Sequence, residues 1–206
     1  MSTPTFGINI NSKEMAAFMR NLAKSLGATP ADINRATVLA LNDALPVMKK
    51  TGLGLVTSRY ALKRASHYYN RSVRTVRASK RRPYIILRAR GRGSLPLSNF
   101  MIRNAKKAGI SAQVLQDGSL TPLQKLALHN GRVYKSFKIK GKGSGKELIA
   151  SRVPGSGKRE KIKVFYGPGI VPFLSREENR TEIMDASVER FKKRFEHHLA
   201  FILNKL

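Results

Sequence analysis

The stretch most like a phosphate-binding loop is Gly141-Lys142-Gly143-Ser144-Gly145-Lys146. Such a loop needs Gly, four residues, then Gly-Lys and a hydroxyl that holds magnesium. Here Glu147 follows Gly145-Lys146, so that hydroxyl is missing and the segment reads as a flexible basic loop. His67, His129, His197 and His198 have no metal-ligand spacing, and His197-His198 reads as surface charge near a helix end. The chain has no cysteine, which removes disulfides, thiolate metal sites and cysteine nucleophiles. Six of the twelve acids fall in residues 177–206, beside basic residues three or four positions away (Glu189/Lys193, Glu196/Lys192), the pattern of a solvated helix face. Glu147 and Glu160 are the remaining candidates for a carboxylate pair, and both flank Gly-rich tracts. With no nucleophile elbow, triad or metal cluster, the sequence predicts no enzyme, no cofactor and no small-molecule substrate.

What remains is charge. The 206 residues carry 40 Lys+Arg against 12 Asp+Glu, a net charge of +28. A compact body so charged repels itself and calls for a polyanion or acidic neighbours. The excess is segmented: residues 1–43 sum to +1, residues 177–206 to zero, and residues 44–176 to +27. From Ala44 to Gln116 there are 17 Lys/Arg and no carboxylate. The candidate nucleic-acid contacts lie in this middle. They are the series Arg71, Arg74 and Arg77; the cluster Lys80-Arg81-Arg82; Arg88, Arg90 and Arg92 around an Arg-Gly turn; Lys106-Lys107; and Lys140, Lys142 and Lys146 in the Gly/Lys tract. Tyr60, Tyr68, Tyr69 and Tyr84 are interleaved, as stacking groups or as fold anchors. No base-reading module accompanies them, so binding through phosphates is expected to be sequence-independent and steeply salt-dependent. The competing reading is a basic surface matched to acidic partner proteins. No apolar run reaches the roughly 20 residues of a membrane span. Met1–Phe6 lacks the basic-then-apolar order of a signal peptide, so a soluble, non-secreted protein is expected.

The elements that must carry these residues follow from periodicity. Met15, Phe18, Met19 and Leu22 predict a helix over about 12–26, with Asn11 and Glu14 as a capping box. Thr29-Pro30-Ala31-Asp32 is a stronger start signal. Behind it, Ile33, Ala36, Ala40, Ala44 and Met48 form a stripe of mostly small residues, with a kink expected at Pro46 and a stop at Gly52 and Gly54. Thr57 is expected to cap a short third helix to about Ser66. Residues 71–78 read equally as extended chain or helix, and 83–90 as a strand. Residues 131–166 predict two strands around a flexible tip, and 176–205 an amphipathic helix on Val188, Phe191, Phe195, Leu199 and Ile202. The class is α+β in a single domain: a helical part over 1–55, a basic β-rich middle over 56–175 with a flexible loop at 140–158, and a closing helix over 176–206. The sheet is expected to be small and mostly antiparallel.

Several stretches, in this order, resemble the minor tail protein Z, or tail completion, family of long-tailed bacteriophages. They are Ile33-Asn34-Arg35-Ala36, Tyr60-Ala61-Leu62-Lys63, the Arg-rich Val73–Ser79 stretch, Gly93–Phe100, Gly131-Arg132, Lys161–Pro172 and the final helix. The Gly/Lys stretch at 140–158 has no counterpart in the resemblance. The resemblance implies a structural virion protein at the head-proximal end of the tail, made in the host cytoplasm. It implies a homo-oligomeric ring that meets other tail and neck proteins and lies near the genomic DNA. The alternative is a non-specific nucleic-acid-binding accessory or packaging protein.

Overall fold

A computed structural model of the chain describes residues 5–11, 15–91, 93–105, 109–123, 128–129, 132–133, 136–141, 145–152 and 162–204. Two long helices, packed along each other, form its spine. Helix α2 (Pro30–Arg59) starts as the sequence predicts: Thr29 Oγ1 accepts from the Asp32 amide at 3.3 Å, and Asp32 accepts from the Thr29 amide at 3.2 Å. These two bonds satisfy donors that a helix start leaves unpaired. Its Ala36, Ala40 and Ala44 are fully buried, and their small side chains let α5 (Glu177–Leu203) pack closely along it. From α5 come Ile183, Phe191, Phe195 and Leu199, all fully buried. Phe195 stacks on Phe191 at 5.7 Å and meets Phe18 of α1 (Ala16–Ser25) at 6.1 Å.

Against this pair lies a three-stranded antiparallel sheet in the order β1-β3-β2: β1 (Thr5–Asn11), β2 (Val73–Val76) and β3 (Tyr84–Arg90). Period-two alternation sends Ile8, Ile10, Ile85, Leu87, Ala89 and Val73 into the core. Between α2 and β2 stands α3 (Ala65–Ser72). The rest of the middle is built of short antiparallel pieces. They include β4 (Ser94–Pro96), β5 (Met101–Ala105), β6 (Gly109–Gln113), β7 (Thr121–Pro122), β8 (Leu128–His129), β9 (Arg132–Val133), β10 (Phe137–Lys140), β11 (Glu147–Arg152), β12 (Ile162–Val164) and β13 (Tyr166–Pro168). The fold is α+β. Helix α4 (Ile170–Leu174) follows β13 and buries Ile170, Val171, Phe173 and Leu174 in the core.

Several sequence expectations are corrected. The first helix begins at Ala16 after Met15, and Asn11 instead ends β1 opposite Tyr84, so it caps nothing; Glu14 lies outside the described residues. Helix α2 runs through Pro46, Gly52 and Gly54 to Arg59. Thr57 is therefore inside it, its hydroxyl donating to the carbonyls of Gly54 and Leu53 at 2.9 and 3.1 Å, and the third helix starts later, at Ala65. Residues 73–76 are a strand. Residues 140–158 are not one loop: 147–152 form β11, and Gly141 and Lys146 face each other at the end of the β10–β11 hairpin, with Gly145 at φ +60°. The tract at 153–161 lies outside the described residues.

The two long helices also meet through one polar contact. Asp43 of α2 accepts from Arg194 Nε at 2.5 Å and faces His198 Nε2 at 2.9 Å, both on α5. His198 is thus an inter-helix partner rather than free surface charge; its side chain is only 15% exposed. Partial burial pushes the Asp43 carboxyl up, but the bonds and charges of Arg194 and His198 outweigh it and hold the carboxyl below its ordinary 3.8. A lowered carboxylate stabilises the fold above the unfolded-state value and loses that contribution as pH falls through the folded one. Asp43→Asn is expected to lose about 1 kcal/mol at neutral pH, a figure held down because a third of the side chain is exposed. Urea titrations against pH check this: the wild-type and variant curves should converge as pH falls below the ordinary carboxylate range. A gap that persists in acid would show that Asp43 acts by packing alone.

Candidate nucleic-acid interface

The outer face of the β1-β3-β2 sheet follows from its register. Arg88 of β3 stands directly opposite Arg74 of β2 and, on its other side, Gly7 of β1. Arg90 is one pleat further along β3, and Ile86 and Val76 form the next row in the other direction. Arg74, Arg88 and Arg90 are all exposed, and Gly7 contributes no side chain to crowd Arg88. Like charges directly opposite on a sheet face are destabilising. Among the described residues none of these arginines has a carboxylate partner. Placing these like charges opposite one another carries an electrostatic cost that a bound anion would relieve.

At the far end of β3 the connection to β2 is a tight turn. Ser79 and Arg82 exchange backbone hydrogen bonds at 2.9 and 3.0 Å, which puts Lys80 and Arg81 at its corner. Arg77, Lys80, Arg81 and Arg82 are all exposed. Asn42, midway along α2, pins this turn by donating to the Ala78 carbonyl at 3.2 Å and accepting from the Ala78 amide at 3.0 Å. Nothing in the sequence flagged Asn42, an ordinary residue in a helical stripe whose partner is 36 residues away. Asn42→Ala leaves both backbone groups of buried Ala78 without that partner, and a loss of about 2 kcal/mol is expected. Chemical denaturation checks it; an unchanged stability would mean that the turn is held by other contacts.

The structure thus brings together seven of the sequence-predicted contacts, Arg74, Arg77, Lys80, Arg81, Arg82, Arg88 and Arg90, on one sheet and its turn. Arg71, exposed in the last turn of α3, lies three residues before Arg74. Lys140 and Lys146 belong instead to the β10–β11 hairpin, where the Gly141 amide donates to the Lys146 carbonyl at 2.8 Å. Arg92, Lys106, Lys107 and Lys142 lie outside the described residues.

Compared with known protein families, curated proteins and solved structures, the chain matches none.

Two charged side chains outside this face have partners within the fold. Glu147, one half of the supposed carboxylate pair, is bound to Lys138 at 2.7 Å, which holds its carboxyl below the ordinary range; Glu160 lies outside the described residues. Lys63, donating to the Ser98 carbonyl at 3.2 Å, is shifted down by burial and by nearby Lys138. Tyr60 and Tyr69 are buried, so they anchor the fold rather than stack on bases. Burial pushes both phenols above their ordinary range. Among the described residues no three side chains are grouped to hold a metal, and no helix is long and apolar enough to cross a membrane.

Proposed function

We propose that this chain is a structural virion subunit of the tail-completion type, which acts by assembly and by holding the genome end through its phosphates. The observation that carries the reading is the opposed pair Arg74–Arg88, uncompensated by any acid among the described residues and carried on the same hairpin as a cationic turn. Guanidinium groups present paired donors that match phosphate geometry. The nearly neutral helical ends leave room for contacts between copies and with other tail and neck proteins, because they do not share the repulsion of the middle. The resemblance supplies the setting, a ring where tail meets head with DNA passing through it.

Size measurements on the purified protein, with and without duplex DNA across a salt series, test the reading. A discrete ring is expected to persist without DNA. Affinity for duplex should fall with a log–log salt slope of about −4 to −6, if five to seven cations each release counterions. A monomer with the same slope would favour an accessory or packaging protein. No measurable DNA affinity at low salt would sink the DNA role and assign the face to acidic protein partners.

A further inference from the structure

We infer that the β2–β3 hairpin bridges one groove of a duplex, each of its two cationic ends holding phosphates of a different strand. This rests on the DNA-contact reading above and adds the form of nucleic acid and the way it lies. Most of the cations fall toward the two ends of the hairpin, with exposed Arg77 leading from β2 into the turn. Arg74, Arg88 and Arg90 sit at one end, and Lys80, Arg81 and Arg82 at the other. Between them the outer face carries the half-buried, uncharged pair Val76 and Ile86, in register with Asn9 of β1. A strand rises about 3.4 Å per residue, so Arg82 and Arg88 are on the order of 15–20 Å apart. That span matches a major groove about 12 Å wide together with a phosphate on each rim.

The flanking strand decides between bridging and insertion. A two-stranded ribbon fits into the major groove. With β1 hydrogen-bonded along the whole of β3, the sheet is three strands broad, about 10 Å between its outer strand axes before side chains are added, so its face is wider than the two-stranded ribbon that fills the groove. It therefore rests across the rims. Within the hairpin the middle row is apolar Val76 and Ile86, and the polar side chain of that row, Asn9, stands on the flanking strand β1, so the hairpin's own contact is with backbone and carries no sequence preference. A single strand presents only one row of phosphates and reaches one end of the hairpin at a time.

The test uses the full-length protein with a labelled duplex, each of its single strands, and polyglutamate as competitor. Two double variants neutralise the ends separately: Arg74→Gln with Arg88→Gln, and Lys80→Gln with Arg81→Gln. All four residues are exposed, so circular dichroism should match wild type. On duplex, each double variant is expected to flatten the salt slope by about 2, and the combined variant by about 4, at roughly 0.9 per lost phosphate contact. On single strand, the combined variant should flatten the slope no more than one double variant does. Duplex binding that depends on one end alone, or equal losses on single strand and duplex, would overturn the bridging geometry while leaving DNA contact standing. Polyglutamate that displaces duplex as well as unlabelled duplex does would overturn it in favour of an acidic protein partner. Absence of nucleic-acid binding by wild type would remove the functional reading itself.

Discussion

Gly52→Ala is expected to destabilise the protein by about 2–3 kcal/mol, lowering the midpoint of thermal unfolding by about 5–10 °C for a chain of this size. The sign is the informative part. In the interior of a helix, alanine ordinarily gains about 1 kcal/mol over glycine. Here a methyl group would stand 2.3 Å from Tyr69 Oη, 3.3 Å from its ring carbon Cζ and 3.4 Å from Ile183 Cδ1. Tyr69 is fully buried and held by α3, so its ring has no open direction in which to retreat. The overlap exceeds the propensity gain. Among the described residues nothing accepts from or donates to the Tyr69 hydroxyl, so Tyr69→Phe alone should shift stability by less than about 1 kcal/mol. Combined with Gly52→Ala it should restore most of the loss, because the closest contact is the hydroxyl itself. The coupling in this double-mutant cycle is expected near 2 kcal/mol. Urea unfolding of the four proteins measures it. A Gly52→Ala protein more stable than wild type would mean that α2 and Tyr69 do not approach this closely.

A comparable loss, about 3 kcal/mol, is expected for Gly167→Ala. A Cβ there would lie 2.6 Å and 2.9 Å from the Cε2 and Cζ atoms of Phe100. Phe100 is fully buried and its ring meets Tyr60 edge-on at 6.4 Å, while Tyr60 in turn touches Phe173 of α4 at 5.0 Å. Gly167 pairs with Leu95 in the β13–β4 ladder, so the strain would enter the seam that joins the β-rich middle to α4. No helix propensity offsets it. Phe100→Leu in the same background, which shortens the offending ring, should recover part of the loss. If Gly167→Ala unfolds at the wild-type denaturant concentration, the seam is looser than the geometry states.

These two glycines also explain which parts of the fold were legible in the sequence. The start of α2, the strand at 84–90 and the closing helix follow from local signals: a capping box, β-rich composition, and apolar residues at helical spacing. Gly52 and Gly54 read as a helix stop because glycine is a poor helix former in isolation. Tertiary packing overrode that preference, since only a residue without a side chain lets Tyr69 lie against α2. Strand β1 was missed because Thr5–Asn11 mixes Gly and two Asn with its apolar residues, and its pairing partner is some 80 residues away in sequence. The site divides in the same way. Composition located the cations, and the absence of acids between Ala44 and Gln116 marked the region as a contact surface. That Arg74 faces Arg88 is a matter of strand register, and register is set by which side chains β3 buries against the helices. Asn42 was invisible for the same reason: its role lies entirely in a bond to a distant backbone.

Apart from Lys80, every cation named on the sheet and its turn is an arginine. A guanidinium stays charged at any pH that a protein survives. On the proposed reading, acidification leaves these phosphate contacts unchanged, while it acts on Asp43 between the two long helices. Binding and folding would then answer to different solvent variables: ionic strength would loosen the hold on a polyanion, while protons would loosen the body that presents it. A particle built from this subunit would release its polyanion on a rise in salt long before it did so on a fall in pH.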